Sequence, residues 1–181
     1  EFRISRQDQD AFACRSHQRW RLAQQAGRFS AEIVPVYVPQ KKGGAITVDT
    51  DENPRPSTTM ERLAQRQAIN GKAFSVTTGN SSAINDGACA ALLASEAAVI
   101  EHGLTPRARV LAMATAGVEP RIMGFGPVPA IRKVLAKTRL TLDQIDIIEI
   151  NEDFAAQCLA VLRELSIPDD AERVNPNGGA I

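Results

Sequence analysis

The chain has 181 residues, with 21 basic and 21 acidic side chains and no formal net charge. Phosphate binding draws on a basic excess, so this balance argues against nucleic acid as a main partner. Hydrophobic residues at 44% and charged residues at 23% match a globular chain rather than a disordered one. Length alone predicts about one domain, with two possible. Aromatics are few, so the core must rest on Ala, Val, Leu and Ile. Three cysteines without Cys-x-x-Cys spacing and two histidines exclude a disulfide framework and a His-based metal centre. They point to a reducing compartment, hence to the cytoplasm. The longest low-charge stretch, Gly87 to Ile100, carries Glu96 and is too short to span a membrane, so no membrane partner is expected. Glu1-Phe2-Arg3-Ile4-Ser5 lacks the layout of a signal peptide. There is no initial Met and the last residues read as a turn leading onward, so both ends are expected to be cut.

Ser5 followed by Asp8 predicts a capped helix from Ser5 to about Ala26, stopped by Gly27, with Phe12, Trp20 and Ala23 as its buried stripe. Ile33–Val38 alternates and is β-branched, but Pro35 confines it to an edge or bulged strand. Lys42-Gly43-Gly44 is a turn before a short strand at 45–48. The capping box Thr58-x-x-Glu61 opens a helix to about Ile69. Ser75–Thr78 is extended and Gly79–Ser82 is a small, polar loop. The run from Asp86 to Glu101 is apolar almost all round, which predicts a helix buried on most faces, Ala90, Ala91, Leu93 and Ala94 included. Arg109–Ala116 is a strand candidate. Pro127 fits the first turn of a helix through Leu135. Ile145–Ile150 is a strand that runs into Asn151-Glu152-Asp153-Phe154 and a helix ending near Leu165, and Val174 starts one more strand candidate. Strands alternating with helices in the last third predict βαβ units.

In open α/β sheets, sites gather where strands end and loops lead into helices. Two stretches have that layout. Thr77–Gly87 offers small residues, hydroxyls and amides that let a ligand approach the backbone closely. Asn151-Glu152 places a short amide after an apolar strand, where it can hold a water or polarise a carbonyl. A plain helix cap is the alternative at both. Cys14, Cys89 and Cys158 lie within predicted helices and read as packing residues. His17, between Arg15 and Arg19, and His102, at a helix end, read as surface residues.

Five ordered motifs together resemble the thiolase family. Ser5–Ala13 with Gly27-Arg28-Phe29 and Glu32–Val36 is similar to its mid-chain helix and strand. Val76–Ser82 with Asn85-Asp86-Gly87-Ala88 resembles Thr-Ala-Gly-Asn-x-Ser and Asn-Asp-Gly-Ala. Met123–Ala130 resembles Met-Gly-x-Gly-Pro-x-Pro-Ala, Asn151–Ala155 resembles Asn-Glu-Ala-Phe-Ala, and Asn175–Ile181 resembles Asn-x-x-Gly-Gly-Ala-Ile. Asp51–Pro56 and Ala114–Ile122 look most like the β-ketoadipyl-CoA branch.

The resemblance implies an α/β chain, an incomplete part of the duplicated, layered thiolase core with mixed sheets. It divides the chain into 1–84, the rear of the CoA-binding loop domain; 85–106, a returning core helix; and 107–181, the first part of the C-terminal domain. The complete protein is expected to cleave a 3-oxoacyl-CoA, best 3-oxoadipyl-CoA, through an acyl-cysteine, or to run the reverse condensation. No cofactor is implied; coenzyme A is a substrate, and the complete protein is expected to be a homo-oligomer. Asn151 matches the Asn that holds a water in the thioester oxyanion hole. Ser82 matches a hydroxyl on the pantetheine arm, Arg55 a basic contact near the nucleotide end, and Met123 and Phe154 the lining of the acyl and pantetheine channel. The family's nucleophilic Cys lies upstream of the matched part, and its Gly-His-Pro motif just beyond Ile181, so this segment alone is expected to be inactive. A non-catalytic CoA-binding fragment and a truncated subunit stable only in association are the alternatives. The sequence departs from the pattern at Asn70, where an apolar wall is usual and Phe74 is the nearby substitute. It departs again at Asp153, which replaces Ala, and at Cys158, which replaces a common Gly.

Overall fold

The computed structural model describes residues 2–181. They form two compact units: the chain up to Ala83 together with Ile145–Ile181, and Ile84–Gln144.

In the first unit, α1 spans Arg6–Gln25 and has the capping box its sequence encodes. The Ser5 hydroxyl accepts the Asp8 N–H at 3.0 Å, and Asp8 accepts the Ser5 N–H at 3.3 Å. The chain leaves α1 at Gly27, whose φ of +67° suits a residue without Cβ. Phe12 and Ala23 are buried as expected, whereas Trp20 is only half-buried. Half of the buried face of α1 is polar: Gln9, Asp10, Ser16 and His17 lie within it. His17 is 4% exposed, which corrects its assignment to the surface. The reason is a waiting donor, since its Nδ1 accepts the Arg55 N–H at 3.2 Å. α1 packs on α2 (Met60–Ala64) and α5 (Ala155–Glu164).

α2 is capped by Thr59, one residue later than expected, and ends well before Ile69. Arg6 takes the carbonyls of Leu63 and Arg66 at 2.6 and 2.9 Å, and the Ile69 N–H turns to the Val76 carbonyl at 2.9 Å. These bonds replace those a longer helix would need. β1 (Val36–Val38) and β2 (Ile46–Val48) pair antiparallel, Tyr37 opposite Thr47, and form an exposed hairpin just after Pro35.

The expected strand at 145–150 is reduced to one parallel bridge, Ile148 with Val174. Asn175 then bends the chain with a φ of +44°, and its side chain takes over where a ladder would continue. Its Oδ1 accepts the Ile150 N–H at 2.8 Å and its Nδ2 donates to the Ile150 carbonyl at 2.9 Å. No βαβ ladder forms among the described residues; the hairpin is their one sheet. α5 is the apolar centre of the unit, with Ala155, Cys158, Leu159, Val161 and Leu162 buried. It starts at the Phe154 N-cap, so Asn151 stands ahead of it rather than on its first turn.

In the second unit the expected buried helix over 86–101 shrinks to α3, Glu96–Glu101, capped by Ser95. Residues 84–94 have no regular structure, and Leu92 and Leu93 are 81% and 82% exposed. A segment that is apolar all round has no preferred face, and a short helix gains its stability chiefly from packing. Cys89 is exposed for the same reason, against the packing role expected of it. Residues 111–118 alternate between exposed and half-buried, the period of a strand, yet pair with no neighbour by a backbone ladder. Two lysines of α4 (Pro127–Thr138) bond that segment instead: Lys133 Nζ donates to the Thr115 carbonyl at 3.0 Å and Lys137 Nζ to the Met113 carbonyl at 2.9 Å. Pro127 sits in the first turn of α4, as expected.

Candidate functional site

The loop that carries Ser82 is built around Asn80, which is fully buried. Asn80 Oδ1 accepts the Thr77 N–H at 2.8 Å, and its Nδ2 donates to Asp10 Oδ1 at 3.0 Å and to the Ser75 carbonyl at 3.1 Å. Asp10 is in turn paired with Arg6 at 2.8 Å. The Ser81 hydroxyl donates to the Thr77 carbonyl at 2.7 Å, and a Cβ on Gly79 would lie 2.7 Å from Leu63, so the turn is tight. The loop is also tied to the start of α5. Ala155 N–H donates to the Asn80 carbonyl at 3.0 Å, Ser82 N–H donates to the Asp153 carbonyl at 3.1 Å, and Ser81 bridges Phe154.

Ser82 and Arg55 share a cleft of about 260 Å³ with His17, Thr78, Ser81 and Ile69. Arg55 is fixed twice, by its N–H on His17 and by a guanidinium N–H on the Thr78 carbonyl at 3.3 Å. Burial, then the Arg55 charge, hold the His17 imidazole below its ordinary titration range, so it stays a neutral acceptor. A cation beside hydroxyls and backbone amides suits a ligand with both an anionic and an amide portion. Ile69 supplies the apolar wall in this cleft; Asn70 and Phe74 are both exposed.

Asn151 lies elsewhere in the same unit, in a hollow of about 470 Å³ with Trp20, Glu149, Gly178, Gly179 and Ala180. Asn151 is exposed, and it caps no helix, because three residues separate it from α5. Its carbonyl accepts the buried Cys158 S–H at 3.5 Å. Glu149 has its carboxyl raised above the ordinary range, by burial first and then by the Glu152 charge. Glu152 itself is 1% exposed directly behind Asn151. Neither glutamate was singled out as a site residue from the sequence; the only signal for Glu152 is its place beside Asn151 after an apolar strand.

Thus Ser82 and Arg55 come together, and Phe154, 42% exposed, is joined by its backbone to the neighbouring Ser81. Asn151 lines a separate hollow. Met123 belongs to the second unit, where it lies in the 3-10 helix Pro120–Phe125 and is 69% exposed. Asp153 is exposed and engages Ser82 through its carbonyl. Among the described residues no three His, Cys, Asp or Glu side chains cluster as metal ligands, and no helix is long and apolar enough to cross a membrane.

The chain belongs to the thiolase family: the thiolase N-terminal domain matches residues 1–97 and the thiolase C-terminal domain residues 104–181. Within that family it is 60% identical, over its whole length, to a β-ketoadipyl-CoA thiolase of Pseudomonas aeruginosa. It is 55% identical over 99% of its length to the 3-oxoadipyl-CoA/3-oxo-5,6-dehydrosuberyl-CoA thiolase of Escherichia coli K12. In each case it spans 45% of the relative. The crystal structure of the Bacillus anthracis acetyl-CoA acetyltransferase matches 98% of this chain at a TM-score of 0.93 and 44% identity, through 44% of its own length. Human mitochondrial 3-ketoacyl-CoA thiolase in complex with CoA matches 98% of the chain at 0.90 and 45% identity, through 43% of its own length. The fold is therefore α/β, an incomplete thiolase fold.

Proposed function

We propose that the complete protein to which this chain belongs cleaves a 3-oxoacyl-CoA with CoA, or runs the reverse condensation, and that 3-oxoadipyl-CoA is its preferred substrate. The observation that carries the reading is the 60% identity, across the whole chain, to a β-ketoadipyl-CoA thiolase. In this reaction a cysteine thiolate attacks the 3-oxo carbon, the bond between carbons 2 and 3 breaks, and carbon 2 takes a proton to leave as acetyl-CoA; a second CoA then gives up its thiol proton, takes the acyl group from the acyl-cysteine and frees the thiolate. Arg55 contacts the nucleotide end of CoA, Ser82 the pantetheine arm, and Met123 and Phe154 the acyl and pantetheine channel. The cleft that holds Arg55 and Ser82 together supports the first two roles. Asn151 holds the water that stabilises the thioester oxyanion; its free, exposed amide supports that role. No cofactor takes part.

The division into 1–84, 85–106 and 107–181 belongs to the same proposal; the gap between the two family matches, after 97 and before 104, falls inside its middle segment. The complete protein is further proposed to be a homo-oligomer of the cytoplasm; three unpaired cysteines support a reducing compartment.

Asn151→Ala in the complete protein tests the assignment. Turnover should fall on the order of ten- to a thousandfold with CoA affinity nearly unchanged, because the lost contact strengthens mainly in the transition state. Intact turnover with only a lower melting temperature would remove Asn151 from the reaction. The 181-residue chain by itself should show no thiolysis of 3-oxoadipyl-CoA or acetoacetyl-CoA.

A further inference from the structure

The carboxylate of Glu152 is a buried, fully bonded group in the first unit that the proposed reaction leaves unused. Its Oε2 accepts the Ser16 hydroxyl at 2.6 Å and the Ile181 N–H at 3.2 Å, and its Oε1 accepts Asn175 Nδ2 at 2.8 Å. The Ser16 hydroxyl oxygen, in turn, accepts the Gly179 N–H at 3.0 Å. Four parts of the chain therefore meet at one side chain: α1, the Asn151 turn, the bend at Asn175 and the last residues. Gly179 packs so closely that a Cβ there would come within 2.5 Å of the carboxylate atoms.

The same contacts bound the Asn151 hollow. One wall is Glu149–Asn151 and another is Asn177–Ala180. Asn175 grips Ile150 through both backbone groups while donating to Glu152, and Ser16 grips Gly179 while donating to Glu152. Asn175 also joins the walls itself, through Ile150 on one side and the Gly178 N–H on its own carbonyl at 3.0 Å; the Glu152 carboxylate is the buried group that holds both Asn175 and Ser16. Both of its oxygens face donors only, so an amide of the same shape does not fit. Turned one way, its NH2 meets the Ile181 N–H; turned the other, it meets the Asn175 NH2.

We infer that Glu152 is a positioning residue, whose carboxylate sets the Asn151 amide against the Gly178–Ala180 backbone on the opposite wall of the hollow. The inference rests on the thiolase reading and adds to it. Glu152 touches no reacting atom; it acts through Asn151. Small misplacements of a catalytic group cost up to about a hundredfold in rate.

The test uses the complete protein, with thiolysis of 3-oxoadipyl-CoA for kcat, CoA titration for Kd and a melting curve for folding. Glu152→Gln should lower kcat by about ten- to a hundredfold while CoA Kd stays within about threefold. Ser16→Ala, a milder change in the same network, should lower kcat in the same direction without moving Kd, and it decides the matter if Glu152→Gln does not fold. The double variant Asn151→Ala with Glu152→Gln should be no slower than about threefold below the slower single variant, since both remove one function. An active parent whose Glu152→Gln and Ser16→Ala variants keep kcat within about twofold overturns the inference, as do losses that simply multiply in the double variant. A parent that shows no thiolysis overturns the reaction itself, a separate outcome.

Discussion

Asn80→Asp changes almost no volume and reverses the polarity of one buried atom. The Nδ2 that now donates to Asp10 and to the Ser75 carbonyl, at 3.0 and 3.1 Å, becomes an oxygen facing two acceptors. Losing a hydrogen bond to a charged partner costs about 1.5–3 kcal/mol, and losing the neutral one about 1 kcal/mol more. Two carboxylates at that separation repel by about 5 kcal/mol at an effective dielectric of 20, part of which Arg6 on Asp10 offsets. A net loss of about 3–6 kcal/mol at pH 7 is expected, a large share of the stability of an ordinary domain. The folded variant relieves the repulsion by retaining a proton between the facing carboxylates, which the unfolded chain releases. Folding then takes up a proton, so the destabilisation grows as pH rises and shrinks toward about pH 5. Urea unfolding followed by the fluorescence of Trp20, the chain's one tryptophan, reports on this unit. Asn80→Ala is the control: it loses the bonds without adding charge, about 2–3 kcal/mol at either pH. A loss below about 1 kcal/mol for Asn80→Asp, or one equal at both pH values, would refute the buried Asn80–Asp10 pairing.

Three further outcomes are expected. His17 binds its proton less readily folded than unfolded, so stability present above about pH 6.5 declines as pH falls below that value. His17→Gln keeps an acceptor for Arg55 but cannot titrate, and its melting temperature should lose that slope; an unchanged slope assigns it to another group. Under native conditions a thiol reagent should modify one cysteine per chain quickly, Cys89, and mass mapping identifies it. Cys14 and Cys158 are buried and their thiols are pushed up by that burial, so fast labelling of either would contradict the fold. Gly178→Ala should cost about 3 kcal/mol or more, because φ is +85° and the new Cβ would stand 2.7 Å from the Trp20 backbone N; a loss under about 1 kcal/mol places that turn away from α1.

Local chemistry was readable best where a residue's partner is a near neighbour in sequence, although the cap of α2 falls on Thr59 and not on Thr58. Ser5 and Asp8 are three apart and cap α1 as written; Pro127 and Gly27 punctuate α4 and α1 in the same way. The site residues Ser82 and Arg55 were found through family motifs, and their common cleft was not foreseeable from spacing. What the sequence hid is partner identity over long range. His17 and Ser16 look like members of a solvated stretch because Arg55 and Glu152, which bury them, lie far along the chain. The apolar run at 86–101 and the β-rich runs at 109–116 and 145–150 state a need for cover but not what supplies it. Where backbone ladders are absent, side chains such as Asn175, Lys133 and Lys137 serve the carbonyls, and no periodicity announces that substitution.

The bond from Ser16 to Glu152 crosses 136 residues of sequence. During translation at about 5–20 residues per second, helix α1 is complete roughly 6–25 s before its closing partner is made. In that interval the face it will bury is exposed to water, and that face sets Gln9, Asp10, Ser16 and His17 among its apolar Phe12, Ala13, Cys14 and Ala23. A face that is half polar offers less for other chains or chaperones to hold than an apolar one would. The buried polarity of α1 thus lowers the cost of its wait in water for the chain that satisfies it.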